Sequence, residues 1–233
     1  MKLHLQRLLL STLISLPLTG CSAGDTRGKA ALETKPAQRI APTIKQQNER
    51  RVDPIGLGFD YSTKNARLQA MGIPTPESSA TYRAMSDSKL DSLAMSGDKL
   101  ARTFWVERFA TEALTLQRLR DADGNFPEGL EEKDAVSNIG RMAMYVSSLE
   151  QEPTNAMSGY LWGLYTAATI YRGTSDEPIV AGIRLAGLRG DDRAAEFERQ
   201  FRSTRPDLDE AKIDMYFESG RRAMEMAAVP RNP

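Results

Sequence analysis

Ala101-Arg102-Thr103-Phe104-Trp105-Val106-Glu107-Arg108-Phe109-Ala110-Thr111-Glu112-Ala113-Leu114-Thr115-Leu116 is the stretch that decides the fold. Ala101, Phe104, Trp105, Phe109, Ala113 and Leu116 recur at three- and four-residue steps, which draws one apolar stripe along a helix of about twenty residues. The same period continues downstream. Ala135, Ile139, Met142, Ala143, Val146 and Leu149 form a second stripe, and Met157, Tyr160, Leu161, Leu164, Tyr165, Ala168 and Tyr171 a third. Shorter stripes follow at Ile179, Val180, Ile183 and Ala186, at Ala194, Phe197 and Phe201, and at Leu208, Ala211 and Met215. No stretch alternates with a period of two, so the expectation is an all-α body. About seven antiparallel helices, in a bundle or short solenoid, fit its length.

The connections support this. Gly97-Asp98 and Gly190-Asp191 each place a residue suited to the left-handed position after a helix directly before a residue suited to capping the next one. One helix can therefore end and another begin within about three residues, which pairs them antiparallel. Thr154 and Ser175 are further candidate caps, and Pro206-Asp207 with Glu210 supplies an acidic first turn.

Upstream of the stripes, residues 21–78 read as a disordered tether. Lys, Arg, Gln, Thr, Ala and Pro dominate, and Pro36, Pro42, Pro54, Pro74 and Pro76 leave no room for a long helix. Ile55-Gly56-Leu57-Gly58-Phe59-Asp60-Tyr61 is the apolar exception, suited to docking on the body or on a partner, with the body expected. The expected organisation is a leader at 1–20, the tether at 21–78 and a helical domain at 79–233.

The leader has Lys2 and Arg7 ahead of the apolar run Leu8–Leu18, then Leu18-Thr19-Gly20-Cys21. These four residues resemble the lipobox of bacterial lipoproteins. The resemblance implies cleavage before Cys21, diacylation of its sulfur and acylation of the new amine, which anchors the chain in a membrane. Two or three acyl chains make release slow, where one holds only marginally. Ser22, in place of Asp, resembles the outer-membrane address of Gram-negative lipoproteins, so the expected location is the periplasmic face of the outer membrane. The apolar run itself is too short to span a bilayer, which takes about twenty residues.

A second likeness covers parts of the body. Ala94-Met95-Ser96-Gly97-Asp98-Lys99-Leu100-Ala101 and Gly187-Leu188-Arg189-Gly190-Asp191-Asp192-Arg193-Ala194 share the form small-x-x-Gly-Asp-x-x-Ala. This resembles the helix-turn-helix junction of tetratricopeptide-like and Sel-like repeats, although no strict repeat period is present.

Composition excludes several chemistries. His4 is the only histidine and Cys21 the only cysteine, so residues 22–233 hold neither an imidazole nor a thiol. Ser-His-Asp and Cys-His catalysis, zinc or haem sites built on these ligands, and disulfides are therefore excluded there. The formal charge of residues 79–233 is twenty Lys or Arg against twenty-five Asp or Glu, which argues against a nucleic-acid partner. Residues 21–78 carry nine basic against six acidic groups. Carboxylate acid-base chemistry stays open. Its candidates Glu107, Glu112, Glu131 and Glu132 sit among Arg and Lys at helical spacing and are expected on solvated helix faces.

Two further patterns bear on sites. Asp121, Asp123, Asn125 and Glu132 fall at the first, third, fifth and twelfth positions of a calcium loop, but Phe126 occupies the sixth, where the turn needs Gly. No metal and no cofactor is expected. Trp105 and Trp162 are the candidate binding aromatics, with Trp162 off the main stripe of its helix and the remaining aromatics expected in the core. The expected role is a non-catalytic scaffold or adaptor that engages an envelope protein or component, with a carboxylate-based cell-wall enzyme as the alternative.

Overall fold

The computed structural model describes residues 60–120, 123–126, 128, 138–169 and 175–228. They are all-α: α1 Ala66–Ala70, α2 Pro76–Arg83, α3 Asp87–Met95, α4 Lys99–Gln117, α5 Ile139–Glu150, α6 Met157–Thr169, α7 Glu177–Leu188, α8 Ala194–Ser203 and α9 Glu210–Ala228. None of these helices is long and apolar enough to cross a membrane. The leader and most of the tether lie outside the described residues.

The folded body begins earlier than residue 79. Residues 60–78 contain α1 and the start of α2, and they bury Tyr61, Leu68 and Ile73. Pro36, Pro42 and Pro54 lie outside the described residues, and Pro76 starts a helix instead of blocking one. It stands at the first helical position, where its missing N–H costs nothing, and Thr75 caps the turn by accepting from the Ser78 amide. Asn65 caps α1 in the same way.

Both Gly-Asp turns form, but only Asp98 caps the following helix; Asp191 accepts from the Arg193 amide, and Arg193 at the N-cap of α8 makes no side-chain cap bond. Gly97 has φ of 102° and Gly190 of 103°. In each turn the Asp amide reaches back to close a six-residue ring, Asp98 onto the Leu93 carbonyl and Asp191 onto the Ala186 carbonyl, both at 3.1 Å. Asp98 then caps α4 by accepting from the Ala101 amide at 2.9 Å. The other caps are shifted by a residue or more from the expected ones. Asn155, not Thr154, accepts from the Ser158 amide ahead of α6, and Asp209 caps α9. Ser175 donates to the Glu177 carboxylate instead of capping α7.

At the centre, α6 packs against α4, α5 and α7, and α7 carries α8 and α9 on its other sides. The α6–α7 pair meets backbone to backbone. A Cβ on Gly163 would stand 2.6 Å from the Pro178 carbonyl oxygen, and one on Gly159 would stand 2.5 Å from the Ala186 nitrogen. Only glycine fits there. With neighbours on three sides, α6 is buried almost all round, which is why its sequence shows a broad apolar surface instead of a narrow stripe.

Candidate functional site

A buried polar cluster of the described body lies where the segment before α1 meets α2, α4, α6 and the α7–α8 turn. Tyr61 is fully buried, and its hydroxyl donates to Oε2 of Glu107 on α4. Arg83, from the end of α2, donates through Nε to Oε1 of the same carboxylate at 3.1 Å and lies over the Tyr61 ring at 5.2 Å. Glu107 is only 4% exposed. Burial pushes its carboxyl up to about 7, against the pull of Arg83 and the Tyr61 hydroxyl.

This corrects the expectation of a solvated face for Glu107. It follows Thr103 by four residues and precedes Ala110 by three, and both of those are buried. The helical period that placed Phe104 and Ala113 inside thus applied to Glu107 as well, and its charge masked the signal. Glu112 is exposed as expected. Glu131 and Glu132 lie outside the described residues.

A second cluster sits beside the first. The Tyr160 hydroxyl donates to Oδ2 of Asp191 at 2.9 Å, and Arg193 grips both oxygens of that carboxylate. Burial favours the neutral acid at Asp191, but the hydrogen bonds and charge of Arg193 hold the carboxyl below its usual range. The clusters are joined through Tyr61. Its ring stacks on Tyr160 with centroids 6.5 Å apart, and its carbonyl accepts from Arg193 Nη1 at 2.9 Å. Tyr61 thus bolts the segment that precedes α1 onto the body, as expected for the one described aromatic of the 55–61 patch.

Neither binding candidate faces solvent. Trp105 is 1% exposed, tilted against Phe109 and meeting Tyr145 edge-on at 5.1 Å. Trp162 is 8% exposed and lies against Gly220 of α9, so its off-stripe position reflects a second packing partner. Phe104 and Tyr160 are also core, and Phe109 and Tyr165 are half-buried against it. Tyr171 lies outside the described residues.

Of the calcium-loop residues, Asp121 and Glu132 lie outside the described residues, as does Cys21. Asp123 and Asn125 are exposed. The left-handed residue there is Gly124, φ 84°, at the fourth loop position and not the sixth. Among the described residues no three His, Cys, Asp or Glu are grouped to hold a metal.

Shallow depressions lie on the surface of the described residues. One, about 320 Å³, is lined by Arg118, Asp176, Glu177 and the turn Thr204–Leu208. Two of its acids are engaged: Asp176 accepts from Arg118 at 2.7 Å and from Arg205 at 2.6 Å, and Glu177 accepts from Ser175 and the Asp209 amide. Another, about 530 Å³, is lined by α8 side chains, including Glu198, Arg199 and Arg202. Glu198 there is clamped by Arg184 and Arg202.

No protein family, curated protein or solved structure matches this chain.

Proposed function

We propose that the protein is a lipoprotein held by Cys21 at the periplasmic face of the outer membrane, whose helical body serves as a non-catalytic scaffold or adaptor for an envelope protein or component. The observation that carries this reading is Leu18-Thr19-Gly20-Cys21, placed where the apolar run of a leader ends. The absence of histidine and cysteine from residues 22–233 narrows the chemistry available to the body. The Gly-Asp junctions and the close-packed α6–α7 pair suit a rigid platform of the helical-repeat kind.

One observation favours the enzymatic alternative. Glu107 has the raised carboxyl that a general acid needs. Against it, both oxygens of Glu107 are occupied by Tyr61 and Arg83.

Photo-crosslinking from exposed body positions in intact cells tests the choice. The adaptor reading predicts one discrete envelope adduct and no hydrolysis of purified cell wall by the isolated protein. Hydrolysis lost in Glu107→Gln, with the variant still folded, would replace it with the enzyme.

A further inference from the structure

We propose that the outward face of α9 is a self-association surface, on which two copies of this chain pair antiparallel through Met215, Ser219, Arg222 and Met226. This goes beyond the adaptor reading and does not depend on it.

α9 turns one face to the body. Ile213, Gly220 and Met224 are buried, and a Cβ on Gly220 would stand 2.5 Å from Leu185 of α7 and 3.1 Å from the Trp162 ring of α6. At about 100° per residue, Ala211, Met215, Ser219, Arg222 and Met226 share an arc of about 80° on the opposite side. All five are exposed. Met226, at 71%, is the most exposed large apolar side chain among the described residues, and Met215 is 56% exposed. A single exposed methionine needs no explanation. Two on one outward stripe of the last helix leave apolar surface that gains by being covered, and methionine adapts to the surface that covers it.

The spacing of the stripe selects the occupant. From Met215 the steps to Ser219, Arg222 and Met226 are four, three and four residues, the same read in either direction. Two copies laid antiparallel, with a two-fold axis between positions 220 and 221, therefore set Met215 of each copy against Met226 of the other. In the middle, Ser219 of each faces Arg222 of the other. The patch is complementary to itself, as a two-fold interface requires.

Charge agrees with this register. Arg222 is exposed and forms no ion pair among the described residues. The acids beside the stripe are matched within the chain: Asp214 pairs with Arg184 at 2.9 Å, and Glu218 and Glu225 pair with Arg221. They therefore bring little net repulsion to the contact. In the antiparallel pair, Glu218 of the second copy stands one residue from the position that faces Arg222, so each Arg222 gains a carboxylate across the axis. Parallel pairing would set Arg222 directly against Arg222 and is disfavoured.

Thiol crosslinking of full-length chains in intact cells reads the register. A chain carrying Met215→Cys is co-expressed with one carrying Met226→Cys, and a cell-permeant bismaleimide that spans a single interhelical gap is added. Links are mapped by peptide mass. The two positions lie about 16 Å apart along the helix. The thiol at 215 of one chain should therefore meet the thiol at 226 of the other, whereas either variant expressed alone holds its thiols too far apart to be bridged. The expected result is a 215–226 link in the mixed cells and neither a 215–215 nor a 226–226 link in the single ones. Arg222→Glu on both chains, an exposed change that leaves the fold intact, should lower the 215–226 yield roughly fivefold. The proposal is overturned by the absence of a 215–226 link, or by 215–215 links as frequent as 215–226 ones. Capture of a different protein at these thiols in place of the second copy, or a yield unchanged in Arg222→Glu, would overturn it too.

Discussion

Tyr160 donates its hydroxyl to Asp191 at 2.9 Å, and Asp191 directly follows the left-handed Gly190. The other Gly-Asp turn has the same arrangement: Tyr82 on α2 donates to Asp98, directly after Gly97, at 2.7 Å. In both, a tyrosine from outside the hairpin locks the residue that closes the turn. Burial and the Asp98 carboxylate push the Tyr82 hydroxyl up to about 12, so it remains a donor across the physiological range. The sequence echo between the two segments thus extends to a shared tertiary contact, made by tyrosines that are not themselves part of the echo.

Substitution of the turn glycines should separate backbone strain from crowding. Gly97→Val and Gly190→Val should each cost about 1–2 kcal/mol from positive φ alone. Gly190→Val should cost more, because its Cβ would come within 3.0 Å of Met71 Cε, whereas Gly97 has only Arg102 at 3.9 Å. Gly140, with open space around it, should accept Ala with no loss and a gain of up to about 1 kcal/mol. Urea denaturation of the three variants checks the order.

The α6–α7 contact should be less forgiving. Gly163→Ala places a methyl 2.6 Å from a backbone carbonyl oxygen that cannot swing aside, and Gly182→Ala meets Gly163 Cα at 2.7 Å. Each should destabilise by about 1–3 kcal/mol or more, and the double variant by less than the sum, since both separate the same two helices. A double-mutant cycle by thermal denaturation measures that coupling.

Most of the helical layout was legible in the sequence because apolar period and turn glycines are local signals. Gly97 and Gly190 declared their turns, and the stripes of α4 to α9 declared their faces. Seven of the nine described helices begin after residue 84, in the region read as helical. The two earlier ones were hidden because α1 and α2 are short, and Pro74 and Pro76 read as breakers where one of them starts a helix. The interior cluster was illegible for a different reason. Tyr61, Arg83, Glu107 and Arg193 are far apart in the chain, and a buried carboxylate is recognisable only once its partners are in place.

Acid and alkaline limbs of stability should have different owners. Asp191 is held low in the folded state, so its contribution is present above the ordinary carboxylate range and is lost as pH falls through its folded value. Glu107 has the opposite sign: its stabilisation is full below the ordinary range and declines as pH rises through about 7. The decline should be on the order of 3 kcal/mol at most. Melting curves from pH ~3 to pH ~8 should show a shallower neutral-side decline in Glu107→Gln and a shallower acid-side decline in Asp191→Asn.

The anchor is tested most directly by following Cys21→Ser against wild type in Gram-negative cells. Membrane fractions and the mass of the mature amino terminus are the two readouts. The account predicts that wild type begins at an acylated Cys21 and sediments with the outer membrane, whereas the variant is unlipidated, uncleaved and absent from that fraction. A Cys21→Ser protein that is processed and fractionates like wild type would contradict it.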